Sequence, residues 1–317
     1  MYDLSNKRVW VAGHRGMVGG AVCRRLESEG CEVITAGRDR VNLERQSEVE
    51  DFLNAEKPDA IVMAAAKVGG ILANDSYPAE FIYTNLMIEA NIVDAAHKAD
   101  VNRMLMLGSS CIYPKFAEQP IQEDSLLTGA LEPTNEWYAV AKIAGIKLAQ
   151  AYQKQYGRDY VSAMPTNLYG PGDNFDLKNS HVLPALIRKA HEAKLAGEKE
   201  MIVWGTGSPR REFLHVDDCA DALVFLLKNY SEAEHINVGS GDDVTILELT
   251  QMVCDVVGFE GEITHDLSKP DGTPRKLMSA DKLRALGWSP KYTLREGVEN
   301  TYKWFLDHQE NARGIGV

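Results

Sequence analysis

A tyrosine and a lysine four residues apart, Tyr138 and Lys142, have the clearest capacity for proton transfer in this sequence. Residues at this spacing share one face of a helix, so the lysine ammonium lies near the phenol. A free tyrosine titrates near ~10, and a neighbouring positive charge lowers the pKa of a phenol. The spacing therefore predicts a general acid and base pair, although the same pair also occurs in helices without a catalytic role.

Small hydroxyl and thiol residues follow a short apolar run upstream of that pair. The run Met104–Leu107 predicts a buried strand, and Gly108, Ser109, Ser110 and Cys111 come directly after it. In an open parallel sheet, ligands bind beyond the carboxyl ends of the strands. We therefore expect this segment to line the site, while Cys111 taken alone is also typical of a small buried hydrophobe.

A glycine-rich turn stands near the start of the chain. The apolar strand Arg8–Ala12 is followed by Gly13, Gly16 and Gly19, and a helix is predicted over Ala21 to Gly30. Glycines at this spacing allow a tight turn and close approach of the backbone to a pyrophosphate, which the helix N-terminus then faces. The pattern favours dinucleotide binding over a turn that only connects strand and helix.

The end of the second predicted strand indicates which dinucleotide is bound. That strand runs from Glu32 to Ala36 and is followed by Arg38. An acidic residue here holds the ribose 2′-hydroxyl of NAD, whereas an arginine accommodates the 2′-phosphate of NADP. Arg38 therefore predicts NADP, with Arg15 as a second phosphate ligand, and a register shifted by one residue to Asp39 would reverse this preference.

Alternating strands and helices continue through the first half of the chain. This pattern predicts an α/β fold: a Rossmann-type, doubly wound parallel sheet with a smaller, discontinuous C-terminal substrate lobe. We expect a dinucleotide-binding domain over residues 1–170, with a return segment near 213–238, and the substrate lobe over 171–317. Two long helices are predicted, from Ala79 to Asp100 and from Tyr138 to Tyr156, and the residues from Asn311 onward are expected to fray.

Composition limits the partners and the compartment. The 317 residues carry a formal net charge of −12, which argues against nucleic-acid and anionic-membrane binding. Five cysteines without a C-x-x-C pair predict free thiols in a reducing compartment and no metal site. With no long apolar run and no signal-peptide pattern, the cytoplasm is the expected location.

Several longer runs together resemble the extended short-chain dehydrogenase/reductase superfamily over nearly the whole chain. Within it, the chain resembles the branch that epimerises and reduces a GDP-bound keto sugar. The runs that carry this resemblance are residues 12–19, 64–71, 108–115, 132–136, 179–182 and 269–276.

The resemblance implies conversion of GDP-4-keto-6-deoxy-D-mannose to GDP-L-fucose, by epimerisation at C3 and C5 and then NADPH-dependent reduction at C4. It implies that Cys111 is the base and His181 the acid of epimerisation, since cationic neighbours favour a thiolate and histidine titrates near neutrality. In reduction, Tyr138 would donate a proton, Lys142 would tune Tyr138 and hold the nicotinamide ribose, and Ser109 would bind the same sugar oxygen.

The resemblance also implies two sets of binding residues and a homodimer formed through the two long helices. The implied NADP contacts are Gly13, His14, Arg15, Gly16, Met17, Val18, Gly19, Arg38, Asn42, Leu43, Leu107, Gly108, Ser109, Ser110, Lys142, Pro165, Thr166, Asn167, Leu168 and His181. The implied GDP-sugar contacts are Lys189, Trp204, Arg211 and Asp271, with Arg188 as a further candidate for the pyrophosphate.

Three other functions are weighed against this one. A nucleotide-sugar 4,6-dehydratase would carry an Asp-Glu pair where Ser110 and Cys111 stand, and it would recycle a retained NAD. A C4 epimerase with retained NAD would not need Cys111 and His181 as a second acid and base pair. A noncatalytic NADP-binding protein would carry a degraded Tyr-Lys-Ser set, which is complete here.

Overall fold

The computed structural model describes residues 1–177, 180–269, 271–310 and 313–314. The strands are β1 (Arg8–Ala12), β2 (Glu32–Ile34), β3 (Ala60–Met63), β4 (Arg103–Leu107), β5 (Asp159–Pro165), β6 (Asn167–Tyr169), β7 (Glu200–Trp204), β8 (Arg210–His215), β9 (Ile236–Val238), β10 (Asp243–Thr245), β11 (Glu262–Asp266) and β12 (Arg275–Lys276). The α-helices are α1 (Met17–Leu26), α2 (Gln46–Glu56), α3 (Ile71–Ser76), α4 (Pro78–Lys98), α5 (Glu136–Tyr156), α6 (Val182–Ala196), α7 (Val216–Asn229), α8 (Ile246–Val257), α9 (Asp281–Ala285) and α10 (Leu294–Asp307).

Six parallel strands form the main sheet, in the order β2-β1-β3-β4-β5-β9. Side chains of a strand alternate between the two faces, and β1 shows this directly. Val9 and Val11 join the core cluster that includes α1 and α7, while Trp10 and Ala12 join the cluster that includes α2, α4 and α5. Helices cover both faces, which explains the continuous apolar runs and confirms the predicted doubly wound α/β fold.

The later strands build smaller sheets around a third core cluster. β8 pairs with β6, β10 and β12, and β7 pairs with β11. Leu183 and Ile187 of α6, Val253 of α8 and Phe305 of α10 are buried together in that cluster. Between β8 and β10 the chain returns to the main sheet. There α7 packs against α1, and β9 pairs with β5.

Some predicted boundaries are wrong. The second strand ends at Ile34 instead of Ala36, and α4 ends at Lys98 because Asp100 has a φ of 57° that a helix cannot accommodate. The prediction of a frayed end is wrong at Arg313 and Gly314. Arg313 forms a β-bridge with Asn174, while residues 311–312 and 315–317 lie outside the described part of the chain. No helix of the described residues combines the length and apolarity needed to cross a membrane.

Candidate active site

Lys142 is buried at the centre of the candidate site. Its ammonium donates to the carbonyl oxygen of Leu107, at the end of β4, over 3.0 Å, and lies 2.9 Å from a carboxylate oxygen of Glu89 on α4. The ammonium is 5.8 Å from the centre of the Tyr138 ring. The four-residue spacing on α5 therefore brings the predicted pair together, beside a buried carboxylate.

The predicted direction of the Tyr138 pKa shift is wrong. Burial raises the pKa of the Tyr138 phenol above its ordinary value, and the charges of Cys111 and Glu89 act in the same direction. The ammonium of Lys142 lowers that pKa as expected, but it does not outweigh burial. The phenol of Tyr138 is therefore held in its protonated form, which suits a proton donor.

Ser109 and Cys111 lie in the short turn that follows β4. Ser109 caps a single 3₁₀ turn over Ser110–Ile112, and its hydroxyl accepts from the backbone amide of Cys111 at 3.3 Å. The side-chain amide of Asn135 donates to the Cys111 sulfur at 3.3 Å, and the Lys276 ammonium lies 3.8 Å from the same sulfur. The half-buried thiol thus has one amide donor and one cationic neighbour.

The backbone on both sides of Lys276 is fixed. Lys276 pairs with Arg211 in the register of β12 and β8, so both cationic side chains belong to neighbouring strands. The backbone amide of Leu277 donates to the Gln119 side chain at 2.8 Å, and Arg275 is ion-paired to Asp243 at 2.5 Å. Lys276 therefore reaches the end of β4 from a well-anchored strand.

The glycine-rich turn has no room for side chains at two positions. Gly13 has a φ of 91°, and a Cβ there would lie 2.7 Å from the backbone nitrogen of Ala65. A Cβ on Gly19 would lie 2.2 Å from the carbonyl oxygen of Gly13. Gly16 caps the N-terminus of α1, which begins with Met17 and Val18. The turn thus leaves exposed backbone and a helix N-terminus where a pyrophosphate fits.

Two exposed arginines lie in this region: Arg15 belongs to the glycine-rich turn itself, and Arg38 follows β2. Arg15 is 3.6 Å from Asp39, and both side chains are highly exposed. Arg38 has no ion pair among the described residues. Because Arg15 opposes the negative charge of Asp39, the positive charge of Arg38 remains available for the 2′-phosphate of NADP. Asn42 and Leu43 continue this segment, and the Leu43 carbonyl accepts from Asn91 at 2.9 Å.

The other predicted cofactor residues stand at the ends of β4 and β5. Gly108 is required there, since a Cβ would lie 2.2 Å from the Met164 sulfur. Pro165 ends β5, and the backbone amide of Thr166 donates to Val238 on β9. Asn167 donates to the carbonyl oxygen of Glu212 at 2.7 Å, which ties β6 to β8. Leu168 packs on the main core, and His14 lies half-buried in the glycine turn.

Two of the predicted GDP-sugar residues, Lys189 and Trp204, are in contact, and with Lys269 they form a cationic surface. The ammonium of Lys189 lies 5.0 Å from the centre of the Trp204 ring, and that of Lys269 lies 5.4 Å from it. Burial lowers the pKa of both Lys189 and Arg211. Neither forms an ion pair within the described ranges, so both charges are available to an anion.

Two members of the predicted set are already engaged. The Asp271 carboxylate accepts from the backbone amide of Thr206 at 2.7 Å and from its hydroxyl at 2.9 Å. Arg188 is ion-paired to Glu192 at 2.6 Å and donates to the backbone of Phe175. These contacts support loops that flank the cationic surface.

His181 is the N-cap residue of α6 and is exposed. Protein atoms crowded around it lower the pKa of its imidazole. It forms no hydrogen bond or ion pair with Tyr138, Lys142 or Cys111 among the residues that the structure describes. The structure therefore joins four of the predicted catalytic residues through direct contacts and places His181 separately.

Sequence reasoning missed three residues that contact this cluster: Glu89, Asn135 and Lys276. Asn135 and Lys276 fall in runs that carry the resemblance, yet neither received a role. Glu89 had a detectable signal, because it interrupts the apolar stripe that Ile88 and Ile92 form on α4. A charged residue on the buried side of a helix requires a buried partner.

The fold and the site define the class of protein. Residues 9–239 match the model of the NAD dependent epimerase/dehydratase family. The chain belongs to this family, in the branch that includes the GDP-L-fucose synthases.

Relatives that match this chain over nearly the full length of both proteins define that branch. The GDP-L-fucose synthase of Sinorhizobium fredii is 62% identical, over 97% of this chain and 98% of that protein. The GDP-L-fucose synthase of Escherichia coli is 54% identical, over 98% of this chain and 100% of that protein. A crystal structure of a GDP-L-fucose synthetase from Naegleria fowleri bound to NADP is 28% identical, with a TM-score of 0.89, over 98% of this chain and 97% of that one.

Proposed function

We propose that this protein converts GDP-4-keto-6-deoxy-D-mannose to GDP-L-fucose, by epimerisation at C3 and C5 followed by reduction at C4 with NADPH. One observation carries the proposal. A thiol with a cationic neighbour and a Tyr-Lys pair meet at the end of β4, which provides separate groups for the two reactions. The relatives named GDP-L-fucose synthase support the same assignment.

The residues around the glycine turn fit NADP. Gly13 and Gly19 leave backbone for the pyrophosphate, and Arg15 and Arg38 supply positive charge for the 2′-phosphate. The segments 42–43, 107–110 and 165–168, with Lys142, would hold the remainder of the cofactor. When bound, NADPH supplies the hydride that reduces C4.

Epimerisation uses the acidity that a 4-keto group gives to the protons on C3 and C5. Cys111 removes a proton from the sugar, and Lys276 and Asn135 stabilise the thiolate by donating to its sulfur. His181 returns a proton on the opposite face. The sugar carbons are inverted without any change in oxidation state.

Reduction at C4 uses Tyr138 and Lys142. Tyr138, held protonated by burial, donates its proton to the oxygen that develops on C4. Ser109 donates a hydrogen bond to that oxygen, which stabilises its charge. Lys142 then favours the phenolate that Tyr138 becomes.

The GDP group is assigned to the cationic surface around Trp204. Lys189 and Arg211 oppose the pyrophosphate, and Trp204 offers a ring for packing. Asp271 accepts a hydrogen bond from the backbone amide of Thr206, which fixes the turn that follows Trp204. A 4,6-dehydratase is less favoured because Cys111 stands where that reaction requires a carboxyl group.

Three further proposals concern the organisation of the protein. Residues 1–170 with the return near 213–238 form the NADP-binding lobe, and the rest of 171–317 forms the substrate lobe. Two copies associate through α4 and α5, a face on which Tyr83, Trp137 and Val140 are exposed. The five free thiols support a cytoplasmic location. Light scattering on the purified protein tests the dimer.

The function is tested by incubating wild type and Cys111→Ser with GDP-4-keto-6-deoxy-mannose and NADPH. Absorbance of the nicotinamide reports reduction, and product analysis reports epimerisation. Wild type should consume NADPH and yield GDP-L-fucose. Cys111→Ser should lose most epimerisation, so that any slow reduction yields an unepimerised 6-deoxy sugar.

Cys31→Ser is a matched control, since Cys31 is half-buried against the main core, away from the site. It should behave as wild type. If wild type changes the sugar but leaves added NADPH untouched, the protein is an epimerase or dehydratase with a retained cofactor. If NADPH binds and no keto sugar reacts, it is a noncatalytic NADP-binding protein.

A further inference from the structure

The buried carboxylate of Glu89 has no role in the two reactions as described above, yet it contacts the lysine on which reduction depends. Glu89 is 2% exposed and Lys142 is 3% exposed, with 2.9 Å between the charged atoms. Apart from this ion pair, neither carboxylate oxygen of Glu89 has a polar partner in the described ranges. The two charges therefore depend on each other, since an isolated buried charge is strongly unfavourable.

The helix that carries Lys142 leaves space for this carboxylate. Gly145 lies one turn after Lys142 on α5, facing α4. A Cβ at Gly145 would lie 2.3 Å from one Glu89 oxygen and 2.7 Å from its carboxyl carbon. Any other residue at this position would displace the carboxylate, so the pairing depends on both helices.

The geometry also assigns the donors of Lys142. An ammonium has three N–H groups. One of them is donated to the carbonyl oxygen of Leu107, while Glu89 forms an ion pair with the ammonium. A donor therefore remains for the proposed cofactor ribose, on an ammonium that lies 5.8 Å from the centre of the Tyr138 ring.

We propose that Glu89 is a positioning residue that fixes the Lys142 ammonium in place and keeps it charged for reduction. The inference rests on the proposed function, since it assigns Lys142 to the reduction step. Glu89 acts through Lys142 and touches neither the sugar nor the cofactor.

The charges around Glu89 and Lys142 determine how the protonation of Lys142 depends on pH. Burial alone lowers the pKa of Lys142, but Glu89 from α4 and Tyr138 from its own helix outweigh burial and raise that pKa. Burial raises the pKa of Glu89, and Lys142 opposes this rise. Beyond the pair, Cys111 and Ser109 face Tyr138 from the turn after β4, and β4 contributes the Leu107 carbonyl that accepts from Lys142. Without Glu89, Lys142 would lose its proton at a lower pH.

The test compares wild type, Glu89→Gln and Asp94→Asn. Asp94 is a matched control because it is also an α4 carboxylate paired to a lysine, Lys98, at 2.7 Å. Two quantities are measured against pH: the kcat for reduction, and the Kd for NADPH by fluorescence in the absence of any sugar.

In Glu89→Gln the alkaline decline of kcat should begin about 1 to 3 pH units below that of wild type. The Kd for NADPH should rise at least about fivefold at the pH where kcat has declined and return toward the wild-type value at acidic pH. Asp94→Asn should follow wild type in both measurements. Unchanged pH profiles in Glu89→Gln, or an equal shift in Asp94→Asn, would overturn the proposal.

Gly145→Ala keeps the proposal testable if Glu89→Gln does not fold. This variant retains both charges and displaces the carboxylate, so it should shift both profiles in the same direction. A folded Gly145→Ala protein with wild-type profiles would overturn the proposal. If wild type itself reduces no keto sugar, the proposed function fails, while the NADPH titrations still decide whether Glu89 controls Lys142.

Discussion

The ammonium of Lys276 lies 3.8 Å from the sulfur of Cys111, although 165 positions separate the two residues in the chain. Lys276 is half-buried on β12, and it forms no ion pair with a carboxylate among the described residues. Its charge is therefore available to the thiol. This contact connects the strand that carries Lys276 with the turn after β4.

Replacing Lys276 by methionine should slow epimerisation more than reduction. The variant keeps the approximate length of the side chain and removes the ammonium that contacts the Cys111 sulfur. Losing a charge-assisted hydrogen bond costs about 1.5–3 kcal/mol, which corresponds to about a tenfold to hundredfold slower reaction. Incorporation of solvent deuterium at C3 and C5, followed by NMR, measures this step. Lys303→Met, at an exposed lysine on α10, is the control. An equal loss in NADPH binding would contradict the assignment.

Replacing Tyr138 by phenylalanine should abolish reduction and spare epimerisation. The variant removes the proton donor while leaving Cys111 with both of its neighbours. General acid catalysis contributes about a hundredfold to ten-thousandfold, and NADPH oxidation should fall by that factor. Deuterium exchange at C3 and C5 should persist. Tyr156→Phe, at the exposed end of the same helix, should match wild type. Loss of both steps together in Tyr138→Phe would show that the two reactions are not carried by separate residues.

The features that could be predicted from sequence are local. The run Arg8–Ala12 and the spacing of Gly13, Gly16 and Gly19 predict a strand, a turn and a helix from neighbouring residues alone. The four-residue spacing of Tyr138 and Lys142 likewise fixes one helix face. These local patterns were sufficient for the fold class and for the pairing of Tyr138 with Lys142, whereas the roles of the other site residues came from the resemblance.

The features that were missed depend on contacts between distant segments. The pKa of Tyr138 is raised because burial outweighs the charge of Lys142, and neither the depth of burial nor the approach of Glu89 can be read from α5 alone. The contact of Lys276 with Cys111 requires the pairing of β12 with β8. Spacing therefore predicted which groups meet on one helix, but not the charges that other elements place around them.

Replacing Arg38 by alanine should remove the preference for NADPH over NADH. Arg38 is exposed at the end of β2 and has no ion pair within the described part of the chain, so its charge is available to a 2′-phosphate. The Kd for NADPH should rise about tenfold to a hundredfold, as expected for one lost charged contact, while the Kd for NADH changes little. Fluorescence titration measures both. Arg40→Ala is the control, since Arg40 is ion-paired to Glu56. An equal change for the two cofactors would exclude a role for Arg38 at the 2′-phosphate.

The stability of the protein should fall on acidification through the buried imidazole of His235. Burial lowers the pKa of His235 to about 4, and its ring nitrogen lies 3.0 Å from the Tyr113 hydroxyl. An unfolded histidine titrates near ~6.5, so between these values the unfolded chain binds a proton that the native protein does not. Native stability from this group is therefore complete above about pH 6.5 and is lost as the pH falls toward 4. The full loss amounts to about 3 kcal/mol.

His235→Asn removes this titration and should flatten the acid side of the stability curve, even if it lowers stability at neutral pH. Urea unfolding at a series of pH values between 7 and 4 gives the free energy of unfolding as a function of pH. The slope of that curve reports how many more protons the unfolded chain binds than the native protein. His308→Asn, at an exposed histidine after α10, should retain the wild-type slope. If His235→Asn and wild type lose stability in parallel as the pH falls, His235 is not the group responsible, and other buried side chains must account for the acid sensitivity.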